Sequence, residues 1–152
     1  MMKKDCPDSA ETEGFRLKIA DEDDCISAAS EAMNLARTAG FNSTGQFMFS
    51  TAVSELATNI MRYAGEGEIT IRAINDETGK GLEIIAADRG PGIADIEAAL
   101  EDGFSTTKTS LGIGLGGVRR LMDEFTITSE PGTGTCIMAK KWGKALQTGE
   151  DA

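Results

Sequence analysis

Residues 43–87, STGQFMFSTAVSELATNIMRYAGEGEITIRAINDETGKGLEIIAA, change their period in mid-course, and the change decides the fold class. Up to Ala64 the apolar residues Phe49, Ala52, Val53, Leu56, Ile60 and Ala64 recur at helical spacing, so one helix is predicted over Ser43–Ala64. Beyond Gly65 the pattern becomes that of strands, Glu68–Asn75 and Gly81–Ala87, joined by the turn-rich Asp76-Glu77-Thr78-Gly79-Lys80. A helical block followed by a hairpin points to an α+β domain of two layers.

The flanks extend the same reading. Phe15, Leu17 and Ile19 alternate with Arg16 and Lys18, the period of a half-buried strand. The acids Asp21 to Asp24 then suit a helix start, and Ile26, Ala29, Met33 and Ala36 are predicted to form its apolar side as far as Gly40. On the C-terminal side a short helix is predicted over Asp95–Glu101, followed by a stretch without strong period to Leu111. A further helix opens near Gly114 and carries Val118, Leu121 and Met122. The last hairpin pairs Phe125–Ser129 with Thr135–Trp142 around Pro131-Gly132-Thr133-Gly134. The expected architecture is a mixed, mainly antiparallel sheet with helices on one face, a single domain over residues 14–144. Residues 1–13 read as a flexible polar leader and 145–152 as a flexible tail.

Composition narrows the chemistry. The 152 residues contain 25 acidic and 15 basic side chains, a net charge of −10, and no histidine. The missing histidine removes Ser-His-Asp and Cys-His triads, histidine-ligated zinc and self-phosphorylation on histidine. The acidic field repels nucleic acid phosphates and anionic membranes. Cys6, Cys25 and Cys136 are odd in number, far apart and outside any CxxC pair, which argues for reduced thiols. With no apolar leader segment and no run of membrane-spanning length, a cytoplasmic protein is expected.

Two features carry potential chemistry. Nine of the 18 glycines fall between Gly90 and Gly134, eight of them in Asp88-Arg89-Gly90-Pro91-Gly92, Gly112-Ile113-Gly114-Leu115-Gly116-Gly117 and Gly132-Thr133-Gly134-Thr135. Each run alone reads first as a turn, but glycines opening a helix also let several N–H groups converge on a phosphate. The spacing G-x-G-x-G-G, with no strand leading into it, is not a dinucleotide fingerprint, and no GxxxxGK[ST] loop occurs. The second feature is the trio Glu55, Asn59 and Arg62, four and three residues apart on one stripe of an otherwise apolar helix. Alone it reads as a solvated face or an intrahelical ion pair. Functionally it offers a proton acceptor, an oxygen for Mg²⁺ and a cation facing negative charge.

Taken together and in order, E-L-A-T-N (Glu55–Asn59), D-R-G-P-G (Asp88–Gly92), G-I-G-L-G-G (Gly112–Gly117) and G-T-G-T (Gly132–Thr135) resemble the boxes of the GHKL ATPase superfamily, over essentially the whole domain. Residues 95–103 and 118–125 are similar to the RsbT-like group of bacterial serine/threonine kinases and anti-sigma regulators. The resemblance implies a Bergerat sandwich binding ATP and Mg²⁺. It implies Asn59 as the metal ligand and Glu55 as the general base, with Arg62 beside them. Asp88 would accept from the adenine amino group, Gly92 would let the backbone close over the base, and Gly90 and Ile93 share that loop. Gly112, Ile113, Gly114, Leu115 and Gly116 would cradle phosphates, and Thr135 would lie beneath the base. The lid would be Phe104–Leu111, with Ser105, Thr106, Thr107, Lys108 and Ser110 as candidate phosphate contacts. Gly117 departs from the proline expected in the narrower group and should loosen the helix start. The implied function is phosphoryl transfer to serine or threonine of a STAS-domain antagonist or scaffold in a stress-response partner-switching pathway, with a released kinase activating a PP2C-type phosphatase. The alternative is an anti-sigma factor or ATP-dependent binding switch with little kinase activity. A detached histidine-kinase catalytic domain fits less well, given the short lid and the lack of a dimerising helical hairpin.

Overall fold

The computed structural model describes residues 14–77, 79–93, 100 and 114–143. The predicted leader and tail lie outside these residues, as does the predicted helix Asp95–Glu101 apart from Leu100, which packs against the core. In chain order the elements are β1 (Gly14–Ile19), α1 (Glu22–Thr38), α2 (Ser43–Asn59), a π-helical turn (Ile60–Ala64), β2 (Gly67–Asp76), β3 (Gly79–Asp88), α3 (Gly114–Leu121), β4 (Glu124–Glu130) and β5 (Gly134–Trp142).

Local chemistry fixes the helix ends. Asp21 and Asp24 form a capping box, Asp24 N–H donating to Asp21 Oδ1 at 2.9 Å while Asp24 Oδ2 accepts from the Asp21 N–H. Three acids in the first turn of α1 complement the helix dipole. At its other end Gly40 N–H reaches Arg37 O and Phe41 N–H reaches Ala36 O, a Schellman closure that turns the chain back. Asn42 then caps α2 by accepting from Gly45 N–H at 2.8 Å. The buried side of α1 is Cys25, Ala28, Ala32 and Ala36, and Ile26 is 66% exposed. The expected stripe through Ile26, Ala29 and Met33 is therefore rotated. Small side chains at four-residue steps let α1 approach α2 closely, and Ser50 Oγ, which donates to Ala29 O at 3.0 Å, ties the two together.

The five strands of the described residues form one sheet in the order β1-β2-β3-β5-β4; the sheet expected to be mainly antiparallel has only antiparallel pairings among these residues. Its helix-facing side consists of cross-strand rows. Phe15, Ile71, Ile84, Ala139 and Phe125 make one, and Leu17, Ile69, Ala86, Ile137 and Ile127 make the next. Against these rows sit Phe49, Val53, Leu56 and Val118 from α2 and α3, all but fully buried. Each such side chain contributes about 1.5–3 kcal/mol by leaving water. The third row, Ile19, Gly67, Asp88, Thr135 and Ser129, begins apolar and ends polar. On the opposite side of the sheet, Arg72, Glu83, Lys140 and Glu124 follow one another in register with alternating sign, and Arg72 pairs with Glu83.

Cys25 is a free, buried thiol, whereas Cys136 is disulfide-bonded, so reduced thiols throughout do not hold. Burial pushes the Cys25 thiol above its ordinary value. Neighbouring Asp24, Asp21 and Glu22 push the same way, and a hydrogen bond with Thr58 opposes them. Native protein at neutral pH should therefore leave Cys25 unmodified by iodoacetamide while urea-unfolded protein alkylates it, as peptide mass spectrometry will show. Rapid native modification would contradict this packing.

Candidate active site

Asp88 and Thr135, from the polar end of the third row, line a cavity of about 310 Å³, within the roughly 300–1,000 Å³ range of small-molecule sites. Three walls meet there. From α2 and the π turn come Glu55, Leu56, Asn59, Ile60, Arg62, Tyr63 and Ala64; from the sheet, Ala86, Asp88, Thr135 and Ile137. The loop Pro91–Ile93 and the first residues of α3, Gly114 and Leu115, complete it. Apolar side chains supply most of the surface, and a few polar groups converge on it from separate elements.

The helix wall is not the continuous α-helix that the spacing predicts. After Asn59 the backbone widens into the π-helical turn and ends at Gly65 with φ +88°. Such widened turns recur at functional sites. Here the turn carries Arg62 and Tyr63, which line the cavity together with Glu55 and Asn59. Glu55 is 3% exposed.

The sheet wall is held by close backbone approach. Asp88 ends β3, accepts the Gly90 N–H on Oδ1 at 2.8 Å, and faces Thr135 across the β3–β5 pairing. Gly134 has φ +137°, and a Cβ there would lie 2.1 Å from Asp88 O. At Gly92, with φ +83°, a Cβ would lie 2.4 Å from Glu130 O. Both positions need glycine because a backbone carbonyl fills the space a side chain would take. The resemblance assigned Gly92 to closing over a base; in the fold its bare Cα seats the loop on the β4–β5 turn, where Gly132 N–H also donates to Pro91 O at 2.8 Å.

Most of the predicted residues come together. Glu55, Asn59, Arg62, Asp88, Gly92, Ile93, Gly114, Leu115 and Thr135 line one cavity. Gly90 braces Asp88 from behind, and Gly116 is buried within α3. Thr107, Lys108, Ser110, Gly112 and Ile113 lie outside the described residues. Sequence reasoning missed Tyr63, which the π turn brings in, and Ser129. Ser129 had a signal: it is the third inward position of a strand that otherwise presents Phe125 and Ile127.

The wall suits a nucleotide with its metal. Glu55, Asp88 and Arg62 line the cavity together with Gly114 and Leu115, the first residues of α3, and the first N–H groups of a helix have no partner within it, a setting for anionic phosphate. Among the described residues no cluster of three or more His, Cys, Asp or Glu could cage a metal ion. An amide oxygen one helical turn from a carboxylate fits Mg²⁺, which keeps its waters and takes phosphate oxygens alongside one or two protein ligands.

A family model for the histidine kinase-like ATPase domain matches residues 10–141. The chain belongs to that family. Within it, this ATPase domain is 50% identical over 126 residues to the serine/threonine-protein kinase RsbT of Bacillus subtilis, covering 83% of this chain and 94% of that one. It is 38% identical over 97 residues to the anti-sigma F factor of Caldanaerobacter subterraneus subsp. tengcongensis, covering 60% of this chain and 66% of the relative. The solved structure of full-length ShkA in complex with AMPPNP matches with a TM-score of 0.50 at 19% identity, over 77% of this chain and 28% of that one, and so shares the fold. This histidine kinase-like ATPase domain is an ATP-dependent kinase. Among its described residues no helix is long and apolar enough to cross a membrane.

Proposed function

We propose that this kinase acts in the cytoplasm and transfers the γ-phosphoryl group of ATP to a serine or threonine of a STAS-domain antagonist or scaffold, within a bacterial partner-switching pathway. Once released from that partner it activates a PP2C-type phosphatase. The reading is carried by one juxtaposition: Glu55 and Asn59 on the helix wall share a cavity with Asp88 and Thr135 on the sheet wall.

The chemistry follows from that arrangement. Asp88 and Thr135 hold the base, and N–H groups at the start of α3 and Arg62 hold phosphate charge. Asn59 would hold Mg²⁺, which would supply neutralisation of the phosphate charge. A partner hydroxyl oxygen attacks the γ-phosphorus as the bond to the β-phosphate oxygen breaks. ADP leaves with that electron pair, and Glu55 takes the hydroxyl proton. Phosphoryl transfer depends mostly on positioning and charge stabilisation, so this small set of groups suffices. The absence of histidine means that the phosphoryl group does not rest on a histidine of this chain.

Incubation with Mg·ATP and candidate STAS proteins, followed by mass spectrometry, is expected to find phosphoserine or phosphothreonine on the partner. A second reading draws support from the anti-sigma F factor relatives: a switch that binds a sigma factor under nucleotide control. Tight nucleotide binding with no transfer to any STAS protein, together with capture of a sigma factor, would replace the first reading with the second.

A further inference from the structure

Ser129 stands at the end of the row that contains Gly67, Asp88 and Thr135, and its hydroxyl is the hub of three contacts. It accepts the Ile93 N–H at 2.7 Å, lies 3.0 Å from Thr135 Oγ1 and lies 3.2 Å from Gly134 O. A serine hydroxyl has one hydrogen to give, which makes these contacts mutually dependent. If Ser129 donates to Gly134 O, Thr135 must donate to Ser129, and Thr135 then offers a ligand only lone pairs. If Ser129 donates to Thr135 Oγ1, the shorter of the two contacts, Thr135 keeps its own hydrogen for the cavity that it lines.

The second arrangement matches the neighbouring carboxylate. Asp88 Oδ1 accepts from Gly90, and a carboxylate offers only acceptors, so the row presents an acceptor at Asp88 beside a donor at Thr135. Adenine complements that pair, since its amino group donates and its adjacent ring nitrogen accepts. Guanine reverses both, with a carbonyl oxygen beside a ring N–H. A reversed pair leaves buried polar groups facing like groups, the most effective form of discrimination.

We propose that Ser129 is a positioning residue that holds the Thr135 hydroxyl hydrogen free for the nucleobase, and thereby sets adenine against guanine while pinning Ile93 to the sheet. The proposal rests on ATP being the substrate of this cavity. Its test is calorimetric affinity of the full chain for Mg·ADP and Mg·GDP. In Ser129→Ala, ADP binding should weaken about tenfold with GDP binding little changed, so that the ADP/GDP preference falls by the same factor. Ser129→Thr should restore the preference. In a Thr135→Val background, Ser129→Ala should lower it no further, the signature of a shared interaction. Equal losses for both nucleotides, an unchanged ADP affinity, or additive losses with Thr135→Val would overturn the assignment. Should Ser129→Ala not fold, Thr135→Val must still lower the preference and Ser129→Thr must keep it, and failure of either overturns it. Wild-type protein binding neither nucleotide would overturn the ATP reading itself, a result distinct from all of these.

Discussion

Glu55→Gln should reduce phosphoryl transfer by about 10²–10⁴-fold while leaving ATP affinity nearly unchanged. The substitution keeps the shape and most hydrogen-bonding capacity of a side chain that is 3% exposed in the wall of the cavity, so neither packing nor the nucleotide contacts from the sheet need change. What it removes is a proton acceptor one helical turn from Asn59. Binding, orientation and charge neutralisation survive, so a residual rate should survive too. An unaltered rate would remove Glu55 from the mechanism. A loss of ATP affinity equal to the loss of rate would make it a binding group instead.

How far the sequence reveals such a site depends on which physical signal each part leaves. The α2 face and the two hairpins are legible because a buried side imposes its period directly. Phe49, Val53 and Leu56 are all core, and the predicted strands differ from β2 and β3 by one or two residues at their ends. The rotation of α1 is not legible, because hydrophobicity ranks Ile26 above Ala28 whereas close helix packing prefers the alanine. The π turn is equally hidden: a period of 3.6 extrapolates smoothly through Ile60–Ala64, although the backbone does not follow it. Glu55, Asn59, Asp88 and Thr135 were found by motif and brought together by the fold, but their alignment with Ser129 depends on strand order. Placing β5 between β3 and β4 sets Asp88, Thr135 and Ser129 side by side although 47 residues separate Asp88 from Thr135 along the chain.

Gly134→Ala should be the most damaging of the small substitutions, lowering stability by about 3 kcal/mol or more and weakening ADP binding with it. Two costs add at this position. The backbone sits at φ +137°, which L side chains rarely adopt, and the new Cβ would lie 2.1 Å from Asp88 O and 2.8 Å from Arg89 Cα. Those neighbours are backbone, so relief requires the end of β3 to move away from β5. Such a shift carries Asp88 out of line with Thr135, which is why affinity should fall together with stability. Gly132→Ala, two residues earlier in the same turn, is the control. It also has positive φ, +82°, but nothing lies within 4 Å of its Cβ position, so it should cost only about 1–2 kcal/mol and leave ADP binding intact. At roughly 2–4 °C per kcal/mol for a chain of this size, thermal melts should separate the pair, with Gly134→Ala lower in Tm by several degrees. Equal, small shifts for both would show that the β3 terminus yields without cost. The close approach of Gly134 to Asp88 would then not be what holds the sheet wall of the cavity in place.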